Sequence, residues 1–336
     1  MVIVSFFARE AAMPFYLSFD GGGSKCCAIF YDDRGPLGYG YAGGTNTNFT
    51  SMEDCRGNIE RCLDQALDGY PNPNISLVHV TLVGPGQALA EALASRAEIG
   101  RLNHIGEGLA GLLAGALRQS GMVALSGTGS DAFCVSPAGE YDMVGGLGSI
   151  LGDQGSGVWI GQNALRAALA FQEGFGEKTM LLPLLHEAWG TTDKWELVHS
   201  VYGEKAPFRK VASFVPVAAK AARLGDPISL ALFEQAGQLM AEQTLALARR
   251  VSIPKEERFC VCAGGTWKAH PAMYQAFSKR MAGEAPDINI KKPLFEPVMA
   301  GVIAKTLHEG PFITENQIKQ KLLIPYQQFL IQWGEV

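Results

Sequence analysis

The sequence predicts an α/β protein of two related lobes around a central cleft, with a helical insert in the second lobe. Three observations carry that prediction. A strand, a glycine-rich turn and a second strand occupy Tyr16 to Tyr31, the turn being Asp20-Gly21-Gly22-Gly23-Ser24-Lys25. The same order returns from Val123 to Val135 around Ser126-Gly127-Thr128-Gly129-Ser130-Asp131, and repetition at domain scale points to duplication. Helical patterning then dominates from about 174 to 251, before the apolar run Phe259 to Ala263 returns the chain to a sheet.

Taken in order, Tyr16 to Tyr41 reads as the hairpin plus a third strand, and Met52 to Leu67 as an amphipathic helix with Ile59, Leu63 and Leu67 on one side. Pro71 and Pro73 break the chain, Leu77 to Val83 is a strand, and Gln87 to Arg96 a helix. A short strand near residue 102 leads to a helix from Glu107 to Gln119, rich in small residues (Gly108, Gly111, Ala114, Gly115) that permit close packing. A hinge is expected at Gln119 to Met122, dividing a first lobe of residues 13–119 from a second of 120–313. In the second lobe, Gly145 to Asp153 is a glycine-rich loop and Gly155 to Glu173 a helix. Thr179 to Val201, Phe208 to Arg223 and Ile228 to Val251 are the helical insert, and Thr314 to Trp333 is helical in pattern with a break at Pro325.

The first turn is neither a P-loop nor a dinucleotide fingerprint, because both of those lead into a helix and here strand-type residues follow. Consecutive glycines leave backbone N–H groups unshielded, so Gly22, Gly23, Gly127 and Gly129 can wrap an anion such as a phosphate. Ser24, Lys25 and Thr128 add hydroxyls and a cation, and Asp20 can hold a metal ion through water. An ordinary tight hairpin is the alternative for either turn alone. A third glycine turn, Gly264-Gly265, can seat a flat adenine or be a plain strand-to-helix connection.

A net charge of −5 gives no long-range attraction to nucleic acid or anionic lipid, and neither partner is expected. Seven scattered cysteines without a Cys-x2-Cys pair suit a reducing cytoplasm better than a disulfide or zinc framework. The apolar stretch Met1 to Phe7 lacks the features of a leader peptide, and either Met1 or Met13 serves as the start. Nothing specifies oligomeric state, and a homodimer stays open. The six histidines form no metal-ligand spacing.

FDGGGSK, LSGTGSD, the segment Gly145 to Leu165 and CAGGTWKAHP (Cys262 to Pro271) together resemble the BadF/BadG/BcrA/BcrD ATPase family over residues 15 to 305. Within it the likeness is to N-acetylglucosamine and glucosamine kinases of the actin-like sugar kinase/Hsp70 superfamily. The resemblance implies two ribonuclease H-like (actin-like ATPase) lobes, with the terminal stretch 314–336 packing back on the first. It also implies ATP with Mg²⁺ as cofactors and an amino sugar as acceptor.

Phosphoryl transfer needs phosphates held, charge neutralised, an acceptor hydroxyl in line and its proton accepted. Glu107, an acid at a strand-to-helix junction where the helix dipole favours its ionised form, is the first candidate base. The resemblance implies aspartate there, one methylene shorter. Asp153, in Gly152-Asp153-Gln154-Gly155, is the rival, with helix capping as its structural alternative. Asn46 and Asn48 offer amide donors and acceptors to a polyol, or simply form a turn. In the kinases it resembles, an asparagine of this loop contacts the sugar, and Asn46 matches best. Asp131 and Gly146 are assigned to the sugar side as well. Trp267 and Lys268 can lie against adenine or ribose, with Trp267 in the core as the alternative.

The leading expectation is an ATP-dependent kinase giving the 6-phosphate of N-acetylglucosamine, with glucosamine or N-acetylmuramic acid as alternative acceptors. A relative in the same family, the ATPase activator of 2-hydroxyacyl-CoA dehydratase, needs a cluster-binding cysteine near the second hairpin, where only Cys134 stands. A sugar-sensing repressor needs a helix-turn-helix domain ahead of Phe15.

Overall fold

The computed structural model describes residues 13–191, 193–204, 207–308 and 314–333. Met1 to Phe7, and with them the choice of Met1 as start, lie outside the described residues, as do 334–336 of the terminal stretch.

The first lobe runs β1 (Phe15–Gly21), β2 (Lys25–Asp32), β3 (Gly35–Gly43), α1 (Met52–Ala66), β4 (Asn74–Leu82), α2 (Gly86–Ala94), β5 (Glu98–His104) and α3 (Glu107–Ala116). The second begins with β6 (Gly121–Ser126), β7 (Ser130–Val135) and β8 (Tyr141–Gly145). Helices α4 (Gly148–Leu151), α5 (Gly157–Gln172), α6 (Leu181–Trp189), α7 (Lys194–Tyr202), α8 (Pro207–Ala212), α9 (Val215–Arg223) and α10 (Pro227–Ala248) follow. The chain then runs through β9 (Phe259–Ala263), α11 (Pro271–Glu284), β10 (Asn289–Lys291), α12 (Ala300–His308) and α13 (Glu315–Leu323).

The two sheets have one topology. Their strand orders are β3-β2-β1-β4-β5 and β8-β7-β6-β9-β10. In each, the three strands of the meander pair antiparallel, and the first strand also pairs parallel with the strand that returns after the helical connection. The repeat seen in the sequence is therefore a repeat of the whole sheet, and the fold is the two-lobed actin-like one. Where the first lobe has α1 between β3 and β4, the second has α4 to α10 between β8 and β9.

Strand alternation decides which residues face which helices. Leu17, Phe19 and Phe30 meet Ile59 and Leu63 of α1, with Leu89 of α2 in the same core. Cys27, Ile29 and Tyr31, on the opposite face, meet α12 and α13 through Ile303, Ile318 and Leu322. In the second sheet Met122, Ala124 and Cys260 face the helical insert. Val123, Phe133 and Val261 face Leu112 and Ala116 of α3.

The helices between the lobes are exchanged. Helix α3 follows the first sheet in sequence but covers the second: an added Cβ at Gly108, Gly111 or Gly115 would lie 2.8 Å from Phe133, 3.0 Å from Val123 or 2.4 Å from Val261. Conversely α12, within the range 120–313 expected for the second lobe, packs on the first sheet. Ser18 Oγ donates to the Val298 carbonyl (2.6 Å) and accepts from the Gly301 N–H (3.2 Å).

Several helix boundaries differ from expectation. The stretch expected as one helix over Thr179 to Val201 is α6 and α7, because Gly190 takes the left-handed conformation that ends a helix (φ 64°). Phe208 to Arg223 is likewise α8 and α9. The expected helix Thr314 to Trp333 stops at Leu323, and after one 3-10 turn the chain is extended, bridging Leu330 to Phe295.

Candidate active site

Between the lobes lies a cavity of about 380 Å³. Residues 20–25 of the first hairpin and 127–131 of the second line it together. The hairpin tips touch, since a Cβ added to Gly23 would stand 2.9 Å from Thr128 Oγ1. At Gly22, Gly127 and Gly265 an added Cβ would meet nothing within 4 Å, so these positions leave room that a side chain would occupy.

Backbone bonding gives the cavity its polarity at the second hairpin. The Gly127 carbonyl accepts from the Gly157 N–H (2.8 Å) and the Thr266 hydroxyl (2.9 Å), and the Thr128 carbonyl accepts from the Val158 N–H (3.2 Å). Ser126 Oγ donates to the Gly155 carbonyl (2.8 Å), which fastens the turn to the start of α5. Carbonyl dipoles thus point into protein rather than at a bound anion.

Asn46 and Asn48 lie against the first hairpin because the Thr45 and Asn46 N–H groups both donate to the Gly22 carbonyl (2.9 and 3.2 Å). Asn46 Oδ1 accepts from the Asn48 N–H (2.9 Å), so the turn uses its oxygen. Phe49, next in this loop, packs into the core of the second lobe.

Besides Glu296, four carboxyl groups line the same cavity: Asp20, Glu107, Asp131 and Asp153. Burial raises all four. Burial pushes Asp20 up to about 7, Lys25 pulls against that, and Glu107 and Glu296 add to it. Asp131 is pushed to about 8 by burial and by the charges of Glu107 and Asp153. Its Oδ1 is buried and finds no hydrogen-bond partner among the described residues. Glu107 is raised by burial, which outweighs the helix N-terminus expected to keep it ionised.

Asp153 is held in place. It has φ 53°, unusual for a residue with a side chain, and accepts from Ser149 Oγ (3.3 Å) and from the Ser130 and Gly148 N–H groups. An added Cβ at Gly129 would come within 2.9 Å of Asp153 Oδ2. It is not a helix cap, for α5 is capped by Ser156, whose Oγ accepts from the Trp159 N–H (3.1 Å).

Among the described residues no group of three His, Cys, Asp or Glu side chains is arranged to hold a metal ion. The donor set fits Mg²⁺ all the same, because that ion keeps several waters and binds through one or two carboxylates together with substrate phosphates. Asp20, raised by burial beside the first hairpin, is the carboxylate that a cation would return to its ionised form.

Glu296, which sequence reasoning missed, bridges two lysines: Lys25 Nζ at 3.0 Å and Lys268 Nζ at 3.3 Å. It lies in no glycine loop, and only the exchanged packing of 294–308 brings it to the cavity. Ile331 and Trp333 were missed for the same reason, and Phe49, beside Asn46 and Asn48, was missed because an apolar side chain carries no chemical signal. Trp267 is a core residue, with its indole N–H donating to the Ala124 carbonyl (3.0 Å). Cys134 is packed in the second-lobe core. No described helix is long and apolar enough to cross a membrane.

Three comparisons bear on this site. An N-acetylmuramic acid/N-acetylglucosamine kinase from Clostridium acetobutylicum is 24% identical over 286 residues, 83% of this chain and 94% of that protein. An N-acetyl-D-glucosamine kinase from Dictyostelium discoideum is 29% identical over 185 residues, 54% of this chain and 58% of its own. Among solved structures, a candidate N-acetylglucosamine kinase from Porphyromonas gingivalis superposes with a TM-score of 0.64 at 21% identity, covering 89% of this chain and 100% of that one. The model of the BadF/BadG/BcrA/BcrD ATPase family matches residues 19–302, which is most of the molecule, and the chain belongs to that family.

Proposed function

We propose that this protein transfers the terminal phosphoryl group of ATP to the 6-hydroxyl of an amino sugar, with N-acetylglucosamine as first acceptor and glucosamine or N-acetylmuramic acid as alternatives. One observation carries the reading: both hairpins line one cavity together with Asp20, Glu107, Asp131 and Asp153. The named relatives, kinases of N-acetylglucosamine, N-acetylmuramic acid and glucosamine, support it.

The residues divide the work by position. Gly22, Gly23, Ser24 and Lys25 on one side, and Gly127, Thr128 and Gly129 on the other, cradle the triphosphate, and Gly264-Gly265 lies beyond the second hairpin for the nucleoside. Strand β6 separates β9 from β7, so Gly264 and Asp131 sit on opposite sides of that hairpin's first strand. The acceptor sugar belongs on the Asp131 side, with Gly146, Asn46 and Asn48. Mg²⁺, when bound at Asp20, neutralises phosphate charge.

Glu107 is the general base in this reading. It is raised by burial toward the working pH, where a base is most effective. Asp153 is occupied by the Ser149 hydroxyl and by backbone N–H groups, which suits it to orienting a sugar hydroxyl rather than moving its proton.

The test is ADP release from ATP with a panel of amino sugars, followed by identification of the phosphorylated carbon by NMR. Release that depends on an amino sugar, with phosphate on C6, is expected. Equal release with no sugar present would overturn the proposal.

A further inference from the structure

The chain beyond α13 does not stay on the first lobe. Leu330 bridges Phe295 in antiparallel fashion, the Glu296 N–H donates to the Phe329 carbonyl (2.9 Å), and the Ile331 N–H donates to the Leu294 carbonyl (3.0 Å). Segment 294–295 is itself fastened to the end of α3, through Leu294 N–H to the Gly115 carbonyl (3.1 Å) and Phe295 N–H to the Ala114 carbonyl (2.9 Å). These bonds carry residues 331–333 across to the second lobe.

There Ile331 and Trp333 line the cavity with Pro293, Gly264 and Gly265. The Trp333 ring lies edge-on to Tyr274 of α11 at 5.7 Å, and the Lys292 ammonium sits over both rings, 5.0 Å from one and 5.1 Å from the other. The indole N–H is buried and finds no acceptor among the described residues, so packing rather than a hydrogen bond holds the ring. Elsewhere the lining mixes glycine backbone and carboxyl groups with smaller apolar surfaces such as Val83, Ala110 and Leu125, whereas Pro293, Ile331 and Trp333 gather beside the third glycine turn. A flat aromatic base needs apolar walls, and Pro293, Ile331 and Trp333 supply them beside the open face of Gly265.

We propose that residues 331–333 close the nucleotide-base subsite, with the Trp333 ring against the purine of ATP. This rests on the reading of the cavity as an ATP site. The segment packs with the first lobe and ends on the second, so base binding ties both lobes to one ligand.

The test is calorimetric titration of the full chain with ADP, adenosine and inorganic tripolyphosphate, for the parent protein, Trp333→Ala and Trp333→Phe. Trp333→Ala is expected to weaken ADP and adenosine by about tenfold while leaving tripolyphosphate unchanged. Trp333→Phe, which needs no N–H partner, is expected to keep most of the affinity. Unaltered ADP affinity in Trp333→Ala, or an equal loss of ADP and tripolyphosphate, would each overturn the assignment. A parent protein that binds neither ADP nor ATP would instead remove the kinase reading beneath it.

Discussion

Gly23 and Thr128 meet at the centre of the molecule, where a Cβ on the glycine would stand 2.9 Å from the threonine hydroxyl. The contact joins the tips of the two duplicated hairpins. It defines the distance across which a polyphosphate would be gripped, because neither tip can approach further. Phe49 reinforces the arrangement by crossing from the first lobe into the core of the second.

Gly23→Ala therefore separates the tips. A methyl there also comes within 3.1 Å of Phe49, so rotating Thr128 alone does not relieve it. The expected result is a KM for ATP raised by about tenfold, near 1.4 kcal/mol, with the KM for sugar little changed. Initial-rate kinetics check this, and an unchanged KM for ATP would mean that the tips do not set the phosphate gap.

Glu107→Gln is expected to lower turnover by at least about a hundredfold, the scale of a lost general base, with ATP binding intact. Asp153→Asn is expected to raise the KM for sugar more than it lowers kcat, since that carboxylate is bonded to the hairpin backbone and Ser149. Near-normal turnover in Glu107→Gln would exchange the two roles.

Asp131 should make the free protein less stable as pH rises. Burial and the charges of Glu107 and Asp153 push its carboxyl up to about 8, far above the ordinary aspartate range, so folding takes up a proton. The stability it contributes is complete below the unfolded value and lost as pH rises toward the folded one. Asp131→Asn removes this dependence. The variant's advantage in Tm is expected to widen from about pH 4 to about pH 8 and then level off, reaching on the order of 5 °C. Melting curves across that range decide it, and a pH-independent difference would show that Asp131 stays ionised.

Gly115→Ala and Gly57→Ala make an opposed pair. Both glycines are helical, and alanine is intrinsically better by about 0.5–1 kcal/mol. At Gly115 the new methyl would fall 2.4 Å from Val261, so the expected outcome is a net loss of about 1–2 kcal/mol from overpacking. At Gly57 it meets only the mobile end of Arg61 at 3.3 Å, and a gain is expected. Urea denaturation of both variants provides the comparison, and a gain at Gly115 would contradict the close packing of α3 on the second sheet.

The sequence by itself determined the elements whose signal is local. Hairpins, glycine turns and the repeat are written in consecutive residues, so the first sheet, strands β6, β7 and β9 of the second and the turns facing the cavity were legible, along with Asp20, Glu107, Asp131 and Asp153, whereas β8 and β10 were not. Gly190, by contrast, divided a stretch that looked continuously helical, since apolar periodicity continues across the glycine cap and the Asp193 that starts the next helix.

Tertiary structure alone decided which partners those elements found. Helix α3 covers the sheet it precedes, α12 covers the sheet that came first, and residues 329–331 pair with 294–296. Glu296 and Trp333 reach the cavity through those pairings, and no spacing in the chain encodes them. The physical reason is that turn and strand preferences arise from steric limits on adjacent residues, whereas the choice between two similar sheets depends on which surfaces fit: Gly108, Gly111 and Gly115 leave room for Phe133, Val123 and Val261 that only a folded second lobe can fill.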